Sequence, residues 1–380
     1  MLCIGRRWRL ILNQGNFKVK KGLFINNKKA KDSIYESGYM VYQCLLQSDQ
    51  YQLDYQEVDI DDRQINTGYD FYFFNYHPFT MRWLQTRHLK KQLGFVITMI
   101  LEVAPNDPFV MCPAKDFNFY CALDPTVKAK QKNVHAFPRP LEKVHIDLPV
   151  VENEIPVIGS FGFATKGKGF HHVVEAVNKE FDNAIVRINI PYGDFVVNSK
   201  EYASFLGNVC KQKAKPGIEV QVTHDFMSKV ELIKWCNANT LNCFLYDRNM
   251  PGLSATTDQA IITGKPLSIS DNNTFRHITA YLPAYPTFSL KDSMERSTPL
   301  VQQMKEDWQP KKFTQKFEQL LTDYEVKING YAKNTGFFIL PLKKGSARDF
   351  IEHRFKKYKR KFKNIDLKTL FFLKRKNEII

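Results

Sequence analysis

The sequence predicts an α/β protein of two halves, each built on a doubly wound, mostly parallel sheet. Three observations carry this. Strand-like and helix-like stretches alternate through residues 9–125, a proline-rich stretch breaks the rhythm at 138–156, and the alternation restarts at 157. A chain of 380 residues is long enough for two such halves, each with its own core.

In the first half RLILNQG (9–15) is a short apolar run closed by turn residues, so it reads as a strand, followed by a polar loop. SIYESGYMVYQCLLQ (33–47) has helical spacing, YQLDYQEVD (51–59) and DFYFFNYHP (70–78) are strands, and TMRWLQTRHLKKQL (80–93) reads as a helix. GFVITMILEVAP (94–105) is the clearest β-branched strand, and DFNFYCALDP (116–125) is another. Prolines and polar residues make 138–156 a linker.

In the second half VIGSFGF (157–163) is a strand and KGFHHVVEAVNKEF (168–181) a helix with apolar residues at 170, 173, 174 and 177. AIVRINIPYG (184–193), IEVQVTHDF (218–226), NCFLYD (242–247) and KPLSISD (265–271) are strands; 199–212 and 254–264 are helices. Ser228 and Glu231 form a capping box that opens one more helix.

Composition narrows the function classes. Apolar residues at 43% and charged residues at 25% suit a soluble globular protein. The seven cysteines include no C-x-x-C pair, which argues against a disulfide framework and a zinc site and points to a reducing, cytoplasmic compartment. No apolar run reaches the roughly 18 residues of a spanning helix. MLCIGRRWRLILNQG does not read as a signal peptide. Of the net charge of +16, residues 343–380 carry +10, so the body is only mildly basic. A nucleic-acid partner is not expected, because such proteins spread basic surface over the folded body.

Residues Gly162 to Lys168 match the phosphate-loop pattern G-x-x-x-x-G-K, but Gly169 stands where that motif needs a hydroxyl for magnesium. A strand, a glycine turn and a helix N-terminus still form an anion site, to which Lys168 adds a full charge. A solvent-exposed turn with a solubilising lysine is the plain alternative. A second turn of this kind follows NCFLYD, where Gly252 and Leu253 lead into a helix opened by Ser254, Thr256 and Thr257. Ligands of open α/β sheets sit beyond the carboxyl ends of the strands, so two such turns suit a diphosphate.

Four consecutive blocks resemble the donor domain of GT-B glycosyltransferases, specifically the retaining, family-4-like group that includes lipopolysaccharide and capsule sugar transferases. They are IGSFGFATKGKGFHHVVEAV, INIPYGD, VTHDFMSKVELIKWCNANTLNCFLYDRN and GLSATTDQAIITGKPLSIS, together about residues 155–275. The resemblance implies two facing Rossmann-like domains and hexosyl transfer from a nucleoside-diphosphate sugar to a glycan or lipid-linked acceptor. It implies a diphosphate held by Gly162, Lys168, Gly252, Leu253, Ser254, Thr256 and Thr257, with no cofactor and no metal. One departure stands out: where the family has two glutamates eight positions apart, this chain has Pro251 and Gln259. That leaves retention of configuration open, and it keeps a degenerate glycan-binding scaffold beside the enzyme reading. A magnesium-dependent hydrolase is a third reading, opposed by Gly169.

Other strand ends supply candidates for catalysis. Asp247 ends one strand and stands near the expected sugar contacts; His77 and Glu102 end strands of the first half, where a histidine orients a hydroxyl and a glutamate acts as base. Gly15, Asn16, Asp258 and Arg276 are candidates for the donor–acceptor cleft. Turn chemistry and helix capping are the ordinary alternatives for all of these.

In the tail Ile351, Phe355, Tyr358, Phe362 and Ile365 lay one apolar stripe along a basic helix. Such a helix suits an anionic membrane surface, with packing on the first half as the alternative. The expected organisation is an acceptor domain over 1–145, a donor domain over 146–330 and a basic amphipathic extension over 331–380.

Overall fold

The computed structural model describes residues 19–28, 33–78, 80–101, 115–144, 146–193, 198–248, 252–326 and 336–343. The expected first strand at 9–15 and the basic tail beyond 343 lie outside these residues.

The first lobe is a six-stranded parallel sheet in the order β2-β1-β4-β5-β6-β7. Its strands are β1 (Lys20–Asn27), β2 (Tyr51–Val58), β4 (Phe71–Phe74), β5 (Val96–Ile100), β6 (Phe119–Ala122) and β7 (Val134–Ala136). Helix α1 (Ser33–Leu45) crosses over between β1 and β2. β4, β5 and β6 are buried along their whole length, as parallel strands covered on both faces must be.

Strand β1 corrects the sequence reading, which has 16–32 as a polar loop. The lysines and asparagines at the ends of KKGLFINN mask a short apolar centre, yet Leu23, Phe24 and Ile25 are buried in the middle of the sheet. The predicted helix over 80–93 forms only in its second part, as a 3-10 turn (Thr86–His88) followed by the five-residue α2 (Leu89–Leu93), while 80–85 is turn. Strand β7 was not legible either. β3 (Gln64–Asn66) and β13 (Phe337–Ile339) form a separate antiparallel pair.

The second lobe is a five-stranded parallel sheet, β10-β9-β8-β11-β12. It contains β8 (Val157–Phe161), β9 (Ala184–Asn189), β10 (Ile218–Thr223), β11 (Leu241–Phe244) and β12 (Leu267–Ile269). Between them run α3 (Phe170–Glu180), α4 (Ser199–Lys213), α5 (Lys229–Asn237) and α6 (Thr256–Thr263), all close to their predicted places. Ser228 and Glu231 close the expected capping box on α5. Each sheet has apolar clusters on both faces.

Beyond β12 come α7 (Arg276–Thr279), α8 (Leu290–Asp307) and α9 (Pro310–Asp323). α9 falls within the stretch assigned to the donor half, but its apolar face packs on the first lobe. Phe313, Phe317, Leu320 and Leu321 join the cluster under β1, β4, β5 and β6. Phe317 stacks on Phe73 at 5.5 Å and meets Phe119 at 5.9 Å.

The carboxyl ends of the two sheets face each other. Asp124, just beyond β6, pairs with Arg276, just beyond β12, at 2.6 Å. Glu36 at the start of α1 pairs with Lys229 at the start of α5 at 3.2 Å. Strand order reverses between β1 and β4 in one lobe and between β8 and β11 in the other, so both switch-point crevices open on the same cleft.

Truncating Phe317 to Ala removes a fully buried ring between lobe and helix. It is expected to lower unfolding free energy by about 3–5 kcal/mol, measured by denaturant titration.

Candidate anion site at the β8–β11 crevice

The loop after β8 is held against the loop after β11 by backbone geometry. Gly169 is the N-cap of α3 at φ 63°, and a Cβ there would stand 1.8 Å from the carbonyl oxygen of Leu245. Only glycine allows that approach. The carbonyl of Gly167 accepts the N–H groups of Asp247 and Arg248, at 3.2 and 3.3 Å. Two glycines flanking Lys168 therefore let the β8 turn lie on the end of β11.

Lys168 is consequently buried, at 7% exposure. Its ammonium donates to the Tyr246 hydroxyl at 2.7 Å and to Thr256 Oγ1 at 3.2 Å, and lies 4.4 Å from the centre of the Tyr246 ring. Among the described residues no carboxylate comes within ion-pair distance of it. Burial holds its pKa below the ordinary lysine value, Tyr246 pulls it back up, and Arg248 presses it further down. Burial raises the Tyr246 phenol, but the Lys168 charge and the hydrogen bonds of Lys168, Thr256 and Ser254 outweigh it and leave that pKa lowered.

Arg248 is the second cation. Its guanidinium lies 5.6 Å from the centre of the same tyrosine ring, and its buried Nε has no hydrogen-bond partner among the described residues. Sequence reasoning passed over Tyr246 and Arg248 because it searched NCFLYDRN for acids. An arginine directly after a buried strand, next to a glycine–lysine turn, was the available signal.

The structure joins the two predicted turns. A Cβ on Gly162 would be 3.0 Å from Lys168 Nζ and 3.7 Å from the Thr256 methyl. Gly252 and Leu253 are half-buried before the α6 turn, and Pro251 lies outside the described residues. Ser254 does not cap α6: the N-cap is Ala255, Ser254 is buried, and its N–H donates to Thr274 O at 3.2 Å. Thr257 is fully buried, its hydroxyl on Ser254 O. Thr256 is thus the hydroxyl of this helix that meets Lys168.

Other candidates are placed elsewhere. Asp258 is buried and accepts from Arg139 Nε at 2.5 Å, and Arg276 is committed to Asp124 of the other lobe, so each already has an ion-pair partner. His277 is buried against the Trp308 ring at 5.3 Å. Asp247 is exposed, its carboxylate 3.6 Å from His172 Nε2, itself bonded to Glu175. His77 is buried in the turn after β4, at the crevice of the first lobe, with Asn26, Asn27 and Asn75 nearby in a bonded network. Gly15, Asn16 and Glu102 lie outside the described residues. With its amide nitrogen turned toward the helix, Gln259 donates to the carbonyls of Ala255 and Thr256 at 3.1 and 3.2 Å. A glutamate in that orientation would meet two acceptors.

No family model and no curated protein matches the chain. Solved structures do. Sucrose-phosphate synthase from Thermosynechococcus elongatus is similar at a TM-score of 0.53 and 10% identity, over 80% of this chain and 98% of that one. The fold is GT-B. The N-terminal domain of Candida albicans trehalose-6-phosphate phosphatase superposes at 0.52 and 9% identity, over 82% and 99%. An alpha-glucosyltransferase in complex with UDP and a 13-mer DNA gives 0.50 and 9%, over 81% and 100%. At these identities the likeness establishes the architecture of two facing Rossmann-like lobes.

Two outcomes follow from an unpaired buried ammonium. Replacing Lys168 with Met is expected to leave the ligand-free protein as stable or stabilised by about 1–2 kcal/mol at pH 7, read by denaturant titration. Because the folded-state pKa is lowered, the charged form is the disfavoured one, so the gain shrinks as pH rises through that pKa. Anion affinity should fall over the same window, below the ordinary lysine value of 10.5, which titration calorimetry across pH 7–10.5 would follow.

Proposed function

We propose that this protein is a glycosyltransferase that takes a sugar from a nucleoside-diphosphate donor. The observation that carries the proposal is a buried Lys168 with no carboxylate partner among the described residues, beside Arg248, at the switch point of the second lobe. A buried cation is costly to leave uncompensated, and a diphosphate is an anion of the right charge. Crevices at strand carboxyl ends are where α/β sheets bind such ligands. The fold itself, shared with sucrose-phosphate synthase and a UDP-bound alpha-glucosyltransferase, supports the same reading.

In this reading Lys168, Arg248, Thr256 and the first N–H groups of α6 hold the diphosphate and stabilise the charge that develops as it departs. Fixed donors in a water-poor site supply this kind of stabilisation most effectively. Two side-chain cations meet the leaving-group charge, so the proposed reaction draws on no metal or cofactor. The acceptor approaches from the first lobe, past His77 and Asp247.

The finer assignment rests on sequence resemblance to the family-4-like group: transfer of a hexose to a surface glycan or lipid-linked acceptor, on the cytoplasmic side. Among the described residues no helix is long and apolar enough to cross a membrane. The +10 charge of residues 343–380 suits peripheral attachment to an anionic bilayer. A degenerate scaffold is the second reading, favoured by Gln259 and Pro251 in place of the glutamate pair.

Thermal-shift screening against UDP, GDP, ADP, CDP and TDP tests the donor site. One of them at about a hundredfold above its Kd should stabilise the protein by about 2.7 kcal/mol, and Lys168→Ala should abolish both the shift and sugar transfer. A protein that binds but turns over no sugar is the scaffold, and one stabilised by none of the five has no donor site here.

A further inference from the structure

The residues that hold the β11 turn in place are themselves anchored across the cleft. Three residues of the segment 272–275 grip that turn and the residue that leads into α6. Asn272 Nδ2 donates to Tyr246 O at 2.8 Å, and Thr274 Oγ1 donates to Arg248 O at 3.3 Å. Thr274 O accepts the Ser254 N–H at 3.2 Å, and the Phe275 ring packs 4.8 Å from the Tyr246 ring. The next residue is Arg276. Its Nη1 donates back to Asn273 O at 2.7 Å, while Nε and Nη2 both reach Asp124 Oδ2, at 2.8 and 2.6 Å.

Asp124 belongs to the other lobe. Its remaining oxygen accepts the N–H and the hydroxyl of Thr126 at 2.9 and 2.6 Å, and the residue is fully buried. A group buried in this way is out of any ligand's reach. Both partners are desolvated, which makes the geometry of the pair stiff and the loss of one partner expensive.

We propose that the Asp124–Arg276 pair is a positioning element that sets the anion-binding turn from across the cleft. Donor affinity then depends on a first-lobe carboxylate that touches no donor. The pair fixes segment 272–276, that segment fixes the backbone at 246, 248 and 254, and the backbone aims Tyr246, Arg248 and, through the tyrosine hydroxyl, Lys168. This rests on the donor-site reading above. Neither residue holds the ligand in this scheme; both act through others.

The test is calorimetric titration of UDP, GDP, ADP, CDP and TDP into the full chain and into Asp124→Asn, Arg276→Gln, Arg276→Lys, the Asp124→Asn/Arg276→Gln double variant and Lys168→Ala. Each single neutralisation should weaken binding about tenfold, a coupling of ordinary size between distant groups. The double variant should be no weaker than the singles, because the pair acts as one unit. Arg276→Lys, which keeps the charge but loses the fork, should recover part of the affinity and serves if a neutral variant fails to fold. A purely structural role would lower the melting temperature of the ligand-free protein and leave the affinity of the folded fraction unchanged. That result, or additive losses in the double variant, overturns the proposal while Lys168→Ala still abolishes binding and the donor site stands. Failure of the unaltered chain to bind any of the five removes the donor reading, and this inference with it.

Discussion

A lysine ammonium taken out of water without a carboxylate is the constraint around which the second lobe is arranged. Lys168 is held by two neutral hydroxyls and an aromatic face, which orient it but do not neutralise it. Hydroxyl partners leave the charge available to an incoming anion, whereas a carboxylate partner would have cancelled it. Arg248 adds a second positive group on the same ring, so among the described residues the crevice carries two cations beside one tyrosine. Stability given up at a site of this kind is the usual companion of ligand binding.

The rest of the lobe supplies the geometry. Glycines at 167 and 169 allow backbone contact that any side chain would block, and this brings the end of β8 onto the end of β11. The reversal of strand order at those two neighbours opens the crevice between them. The outer supports are ionic. Arg139 clamps Asp258 on the first turn of α6, and Asp124 clamps Arg276 next to the 272–275 segment. α9 returns to the first lobe and covers its aromatic face, which ties the far end of the chain to the domain that begins it.

Much of the second lobe was legible because its signals are local. The glycine–lysine turn, the Ser228 capping box and the period of α3 are written in neighbouring residues, and each element formed where it was expected. Strand β1 was missed because polar ends hide its short apolar core, and burial comes from strands distant in sequence. The run over 80–93 has helical spacing, yet residues 80–85 settle into turns, and Gln85 donates its N–H to Pro341 O. The ion pairs of Asp258 and Arg276 were not legible, because their partners, Arg139 and Asp124, lie more than a hundred positions away.

By itself the sequence determined the α/β class, the two-lobed organisation and the meeting of a lysine-bearing turn with a helix start, since periodicity and turn chemistry act over a few residues. Only the tertiary structure decided which charges are spent and which are free. A carboxylate and a guanidinium pair or stay apart according to how two lobes dock, and no local pattern records that distance. Asp124, Arg139, Asp258 and Arg276 are committed to one another, and Lys168 and Arg248 are left for an anion.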